Sequence, residues 1–424
     1  MAAAPETEAS RTDAAAANYT WLPAASMLLV SLLSYIDRNA LAILAPTILR
    51  ETHLSGEQYG IIIACFSYAY MLGNPLWGHL LDRIGVRKGM SVAVGLWTVA
   101  SAAHAWASGF WSFAIMRALL GAGEGATFPG GLRTVAQTLP PSKRGRGLAV
   151  AYSGGSLGAM IAPLIVTPLA LWFGWHGVFL ATGLFGALWL VLWRVVGAGV
   201  DRKRVFAEEQ AAPAAQPLEW RSRPLWAYIL LYGVGALPLA FILYDSSLYL
   251  HTRFGWSQAT LGKVLWIPPS AWEIGYFAWG AILDRTGPRY RGLILAATAC
   301  GTPFFFAHSL TSGAAVLGFM WLEMFSCAGL VVLSVSYVTR EFPGRQAGLL
   351  AGLGAGAWGA SVALMMPWFG RMFDHSQYEL AFRLAALFPW AGYLLWRGLS
   401  GGVKSRPGRP DLPNDGATSA SGEL

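Results

Sequence analysis

Gly78-His79-Leu80-Leu81-Asp82-Arg83-Ile84-Gly85-Val86-Arg87-Lys88 closes one long apolar run, and Gly280-Ala281-Ile282-Leu283-Asp284-Arg285-Thr286-Gly287-Pro288-Arg289-Tyr290 closes another. Gly78 and Gly280, Asp82 and Asp284, Arg83 and Arg285, Gly85 and Gly287, and Arg87 and Arg289 each stand 202 positions apart. Five identities in one register are hard to obtain by chance, and they point to a chain built from two copies of one unit.

The runs around these stretches set the size of the unit. A helix across a bilayer needs about 20 mostly apolar residues. Such runs fall at 21–46, 57–81, 90–108, 111–137, 147–172 and 176–197, and again at 224–250, 259–283, 292–310, 313–338, 346–370 and 380–399. The two marked stretches therefore follow the second run of each set of six. A β-barrel would need strands of about ten alternating residues, and these runs are continuous. Composition agrees: 55% of the 424 residues are apolar and 12% are charged, about half the charge of a soluble domain. That excludes collagen, a disordered chain and a disulfide scaffold. Cys65, Cys300 and Cys327 are widely spaced within apolar runs and offer neither a disulfide framework nor metal-ligand spacing. The 20 Trp read mostly as interface anchors and packing groups.

The polar segments divide the chain. Residues 1–20 lack the basic start and apolar core of a signal peptide and read as a soluble tail. Residues 198–223 hold Arg202, Lys203, Arg204, Glu208 and Glu209 and read as the linker between a bundle at 21–197 and one at 224–400. Residues 401–424 read as a disordered tail. Basic residues sort by loop: Arg83, Arg87 and Lys88, then Lys143, Arg144 and Arg146, then the linker, then Arg285, Arg289 and Arg291, then Arg345, then Lys404, Arg406 and Arg409. The alternate loops are poor, with Arg50, Arg253 and Lys263. The positive-inside rule then places both termini and the linker in the cytoplasm of a cell-membrane protein. The net charge of +8 reads as loop cations facing anionic lipid, not nucleic acid.

The repeated stretch has a mechanical reading. Gly78 and Gly280 would allow close helix contact, and Asp82 and Asp284 would pair with a basic residue or cap a helix N-terminus. With Arg83, Gly85, Arg87, Arg285 and Arg289 they form a candidate cytoplasmic gate. Charges inside the spans are the second signal, because an ionisable group at membrane depth is costly and functional by default. The first span holds Tyr35-Ile36-Asp37-Arg38-Asn39, and the fourth holds Arg117 and Glu124. Those last two are seven residues apart, hence on one helix face. Gly121, Gly123 and Gly125 either admit another backbone or leave room for a substrate. A guanidinium stays charged and forks onto a carboxylate. A buried acid exchanges protons as its surroundings change. Together they are the minimal parts of a proton–anion symporter. Glu273, deep in the eighth span, reads as a third titratable group or a structural partner. Asp245 and His104, His176 and His308 lie near span ends and read as solvated or interfacial.

The Gly-x-x-x-Asp-Arg-x-Gly-x-Arg-Lys pattern resembles the signature loop of the major facilitator superfamily, over about residues 21–400. The resemblance implies an all-α membrane protein with twelve helices in two pseudo-symmetric six-helix bundles and alternating access to a central cavity. Tyr35-x-Asp37-Arg38, Arg117-x6-Glu124-Gly125 and Gly154-Gly155-Ser156-Leu157-Gly158-Ala159-Met160-Ile161-Ala162-Pro163 are similar to the anion:cation symporter family, especially its hexuronate transporters. By that resemblance Tyr35, Arg38, Tyr70 and Arg117 contact substrate, and Asp37 and Glu124 carry protons. The chain departs from the family where sugar hydroxyls are usually read. The seventh span reads Tyr244-Asp245-Ser246-Ser247-Leu248-Tyr249, and Gly352 to Gly359 is almost free of side chains except Trp358, an expected stacking group.

The expected function is proton-coupled uptake of an organic carboxylate, a sugar acid such as a hexuronate or aldonate, without a cofactor beyond the proton. The expected partners are that anion, protons and lipid, with the chain as a monomer. The alternatives are an antiporter or facilitator of small or aromatic carboxylates, and a non-transporting sensor, which would need a signalling domain that neither tail is long enough to hold. No nucleophile–base pair, metal cluster or phosphate loop suggests an enzyme.

Overall fold

Proline, glycine and capping residues decide where each apolar run is helical. The computed structural model describes residues 21–201, 219–342 and 347–400. The expected tails at 1–20 and 401–424, most of the linker and Arg345 lie outside those residues. Helix α1 (Leu22–Ile43) breaks at Leu44, and α2 (Ala45–Thr52) carries the run on to His53, which takes a left-handed φ of 53°. Ser55 and Gln58 form a capping box that starts α3 (Gly56–Ile84). Then come α4 (Val86–Ala103), α5 (Phe110–Glu124), α6 (Thr127–Thr138) and the long α7 (Pro141–Val196), which Gly174 divides at φ 68°. The second half follows as α8 (Arg223–Gly235), α9 (Leu237–Phe254), α10 (Gln258–Val264), α11 (Ile267–Thr286), α12 (Tyr290–Gly301), α13 (Gly313–Glu341), α14 (Ala347–Asp374) and α15 (Tyr378–Ser400). Four runs are thus crossed in two α-helical pieces, α1 with α2, α5 with α6, α8 with α9, and α10 with α11, and the run at 292–310 is crossed by α12 and a 3-10 helix over Thr302–Ser309. No strand occurs among the described residues. Among the described residues, seven stretches are apolar and long enough to span a bilayer unaided, including the α7 stretch that supplies two runs.

The repeat is visible in the backbone. Gly85 and Gly287 end α3 and α11 with φ of 85° and 70°, a conformation that favours glycine. The environments of the two turns differ. Asp82 accepts a fork from Arg133 Nε and Nη2 at 2.6 and 2.7 Å, and Arg133 also donates to the Gly78 carbonyl at 2.8 Å. Asp201 accepts from the Val86 and Arg87 backbone N–H groups at 2.8 and 2.9 Å and so caps α4. This attaches the start of the expected linker to the first half. Asp284, Arg285 and Arg289 are exposed, and no cation stands within 4.0 Å of Asp284 among the described residues. The close helix contact expected at Gly78 and Gly280 is absent: a methyl group at Gly78 would meet only the Arg133 guanidinium at 4.0 Å, and at Gly280 it would meet open space. What Gly78 contributes is its carbonyl.

The two ends of the molecule pack differently. At the end opposite the basic loops, one apolar core joins both halves: Ile48, Tyr59 and Phe113 share it with Phe241, Phe304, Phe369 and Phe382. At the basic end the core separates. Leu81, Val86, Trp97 and Trp193 form one cluster in the first half, and Trp279, Leu333, Tyr337 and Trp396 form another in the second. The α3–α14 seam shows the divergence step by step. A methyl group at Gly370 or Gly60 would overlap the backbone of Gly56 or of Met366. At Gly359 it would stand 3.6 Å from the Ser67 carbonyl, at Gly356 3.9 Å from Met71, and at Gly352 it would meet nothing. Hydrogen bonds across the closed end agree. Asp374 accepts from the Gly56 and Glu57 N–H groups at 2.5 and 2.9 Å, the Tyr59 hydroxyl donates to the Tyr244 carbonyl at 2.7 Å, and Ser247 donates to the Ala42 carbonyl.

Candidate functional site: a guanidinium between two cavities

Small residues place the first-span charges. Gly154 and Gly158 of α7 lie against the α1 backbone at Leu28 and Leu32, and Gly155 lies 3.0 Å, by the position of a built Cβ, from the Tyr35 ring. Gly121, Gly123 and Gly125 bring α5 against Phe66 and Gly73 of α3 and Ala93 of α4. Of the two roles open to those glycines, helix approach is the one observed. The approach carries Glu124 under α1. There Arg38 Nε donates to Glu124 Oε2 at 2.6 Å, and the Ser34 hydroxyl donates to the same oxygen at 2.7 Å. Glu124 Oε1 is buried without a partner among the described residues.

Arg38 is 5% exposed and held by rings. Its guanidinium carbon lies 4.7, 4.9 and 4.3 Å from the ring centres of Tyr35, Phe66 and Tyr70. Each such contact is worth about 0.5–2 kcal/mol, more where water is excluded. Among the described residues Glu124 is its one hydrogen-bond acceptor. With Nε engaged and ring faces around it, the terminal nitrogens are what Arg38 can offer to an anion. Arg38 lines two cavities. One, of about 440 Å³, is lined by Tyr35, Tyr70, Tyr232, Trp272, Tyr276 and Trp358 together with Ala236, Leu239, Val331 and Ala355. The other, of about 220 Å³, also holds Arg117, Tyr59 and Tyr244.

The structure thus brings Tyr35, Arg38, Tyr70 and Trp358 to one cavity, and sets Arg117 in the next. Arg117 does not pair with Glu124 despite sharing its helix face: its Nη2 reaches the Asp37 carbonyl at 3.5 Å, and its Nε has no partner among the described residues. The Asp37 side chain accepts from the Ser101 hydroxyl at 2.8 Å, and Ser101 is 2.8 Å from the Thr182 hydroxyl. Asp37 therefore belongs to a polar chain between α1, α4 and α7. Glu273 lies in the seam between the halves, where Ser156 donates to it. The Trp358 indole donates to the Ala236 carbonyl at the α8–α9 break, at 2.9 Å, so its ring is fixed. The residues of the repeated stretch lie apart from this group, at the basic end.

Two expectations are corrected. Asp245 is 1% exposed and neither carboxylate oxygen has a partner among the described residues, because the apolar core of the closed end surrounds its helix. His104 is fully buried and stacks on Phe179 at 4.9 Å, since the chain turns inward after α4. His176, in contrast, is exposed, stacked on Trp175 at 3.6 Å. Sequence reasoning missed Arg133, Asp374, Tyr232, Tyr276 and Glu323. Arg133 and Glu323 are charges within apolar runs, so the rule that found Arg117 would have found them. Glu323 is buried beside Gly301, with the Cys327 thiol 3.9 Å from Oε1. Nothing in the sequence marked the other three.

The family model of the Major Facilitator Superfamily matches residues 27–366. The chain belongs to the major facilitator superfamily. It is an integral membrane protein. The hexuronate transporter of Escherichia coli K12 is 33% identical over 175 residues, covering 41% of this chain and 40% of that protein. The chain therefore aligns with less than half of that relative's length. The hexuronate transporter of Bacillus subtilis 168 is 30% identical over 322 residues, covering 74% and 73%. Among solved structures, a bacterial homologue of the human lysosomal transporter Spinster superposes with a TM-score of 0.75 at 14% identity, covering 89% of this chain and 96% of that one. That likeness establishes the major facilitator fold, the twelve-helix architecture expected from the sequence.

Proposed function

We propose that this major facilitator protein is a proton-coupled symporter that takes up an organic carboxylate. The observation that carries the reading is the shared Arg38. Its Nε is engaged by Glu124, its terminal nitrogens have no acceptor among the described residues, and Arg38 lines both cavities. A proton on Glu124 removes the charge that holds Nε and frees the guanidinium to fork onto a substrate carboxylate. Proton and anion binding are therefore linked with the same sign: each favours the other. Loss of the proton restores the Arg38–Glu124 pair, and the substrate leaves. Arg117 would supply a second cation for the anion. Asp37, on its Ser101–Thr182 chain, would take a second proton, and Glu273 would sense the seam.

Kinship supports a sugar acid as the first substrate class to test, since two of the relatives are named hexuronate transporters. Basic loops at the open end support a cytoplasmic location for that end, the linker and both termini. On that assignment the arrangement is inward-open. The repeated Asp82 and Asp284 stretches would act as its gate, with the Asp82–Arg133 fork bracing α3 against α6.

The test is Glu124→Gln in proteoliposomes. An amide copies the neutral acid, so gradient-driven accumulation should fall at least a hundredfold while counterflow exchange continues. Unchanged driven uptake would remove Glu124 from the coupling. In the wild type, lowering the outside pH should raise uptake, because it loads the acids on the side from which substrate enters.

A further inference from the structure

We infer that the carboxylate accepted by the 440 Å³ cavity is an aryl or arylalkyl monocarboxylate rather than a polyhydroxylated one. This rests on the proposed carboxylate symport and sharpens its substrate class. Six aromatic rings line the cavity, and the remaining lining is Arg38 and four aliphatic residues. Among the described residues no Ser, Thr, Asn, Gln, His or acidic side chain lines it. Its neutral polar side-chain atoms are phenol hydroxyls and indole N–H groups, and the Trp358 N–H is already spent on Ala236.

A hexuronate carries several hydroxyls, each a donor and an acceptor. The four phenol hydroxyls and the Trp272 N–H can meet some of these, and each hydroxyl enclosed beyond their reach is desolvated without a partner and weakens binding. An aryl ring asks for the opposite surroundings. It buries about 150–250 Å² and gains further from tilted or edge-on neighbours at about 4.5–7 Å. The lining rings already adopt that geometry. Tyr35 and Trp272, from opposite halves, lie 5.8 Å apart at 53°, and Trp272 meets Tyr276 at 5.9 Å, edge-on. The polarity is therefore one-sided. The cation is at the first-half wall, and Tyr232, Trp272, Tyr276 and Trp358 form an aromatic second-half wall. A flat acid fits with its carboxylate on Arg38 and its ring among the second-half aromatics.

The wild-type protein in proteoliposomes, under an inward proton gradient, is offered labelled 4-hydroxybenzoate, cinnamate, D-galacturonate and D-galactonate. The expected result is accumulation of the aryl acids, inhibited at least tenfold more effectively by unlabelled cinnamate than by D-galacturonate. Trp358→Ala should raise the half-saturating concentration for the aryl acids about tenfold while leaving the dependence on the gradient in place. Driven uptake of D-galacturonate with no uptake of, or competition by, the aryl acids overturns the aryl assignment and leaves carboxylate symport standing. No driven uptake of either class overturns the symport reading and this one with it.

Discussion

At Arg38 one side chain serves two anions. Nε meets Glu124 at 2.6 Å, three rings stand within 4.9 Å of the guanidinium carbon, and the terminal nitrogens remain. A lysine has the same charge but a single ammonium, without the planar fork that can pass from Glu124 to a substrate carboxylate. Arg38→Lys should therefore lower substrate affinity about a hundredfold, corresponding to about 2.7 kcal/mol, and should weaken the link between pH and binding. Binding measured at two pH values checks both; retained affinity with a retained pH effect would show that a point charge suffices. The sequence made this residue legible because Tyr35-x-Asp37-Arg38 is a charge cluster in an apolar run. It did not make the pairing legible. Arg117 shares a helix face with Glu124, yet the partner is Arg38, since the α5 glycines bring α5 close to α3 and α4 and leave Glu124 facing α1. Helical spacing reports one helix, and this pair belongs to two.

Among the elements, α3 and α14 form the seam that closes the end opposite the basic loops. Asp374, at the last residue of α14, receives the first two N–H groups of α3 at 2.5 and 2.9 Å. A carboxylate at a helix N-terminus satisfies orphan donors and meets the positive end of the helix dipole. This contact joins the two halves, so it stabilises the closed end and not the fold of either bundle. Asp374→Ala should cost about 1–2 kcal/mol of closure, a five- to thirtyfold shift toward the state open at that end. Spin-label distances across the Gly56 and Asp374 loops should lengthen, while the unfolding temperature changes little. A large drop in that temperature with unchanged distances would make Asp374 an ordinary structural cap. The twelve runs, the repeat and the turns at Gly85 and Gly287 were readable because hydropathy and glycine mark them locally. The Asp374 contact was not, because its partners are 317 and 318 residues away. The helix breaks at Leu44, Gly125–Ala126, Ala236 and Leu265–Trp266 fell inside continuous apolar runs, where composition does not distinguish one helix from two.

For the whole molecule, the packing is consistent with two bodies that rock about the site. One core joins the halves at the closed end, and separate cores stand at the basic end. If the bundles are rigid, opening one end must close the other. Gly60 offers the test, because a side chain there overlaps the Met366 carbonyl and the Pro367 Cα across the seam. Both are backbone atoms, so the clash is not relieved by a rotamer change. Gly60→Leu should therefore hold that end apart. Gly352, at the other end of the same seam, faces open space. In a background with Cys65, Cys300 and Cys327 replaced by alanine, a cysteine at position 352 should react readily with a membrane-impermeant maleimide applied from the basic side. Adding Gly60→Leu should slow that reaction at least tenfold, because the wedge at one end brings α3 and α14 together at the other. The two sites lie on different ends of one long helix pair, so a local packing defect at Gly60 has no other route to protect Gly352. If the wedge lowers transport and leaves the labelling rate at 352 unchanged, the bundles bend instead of rocking. The cavity at Arg38 would then open by movement of single helices such as α8 and α9 about their break at Ala236.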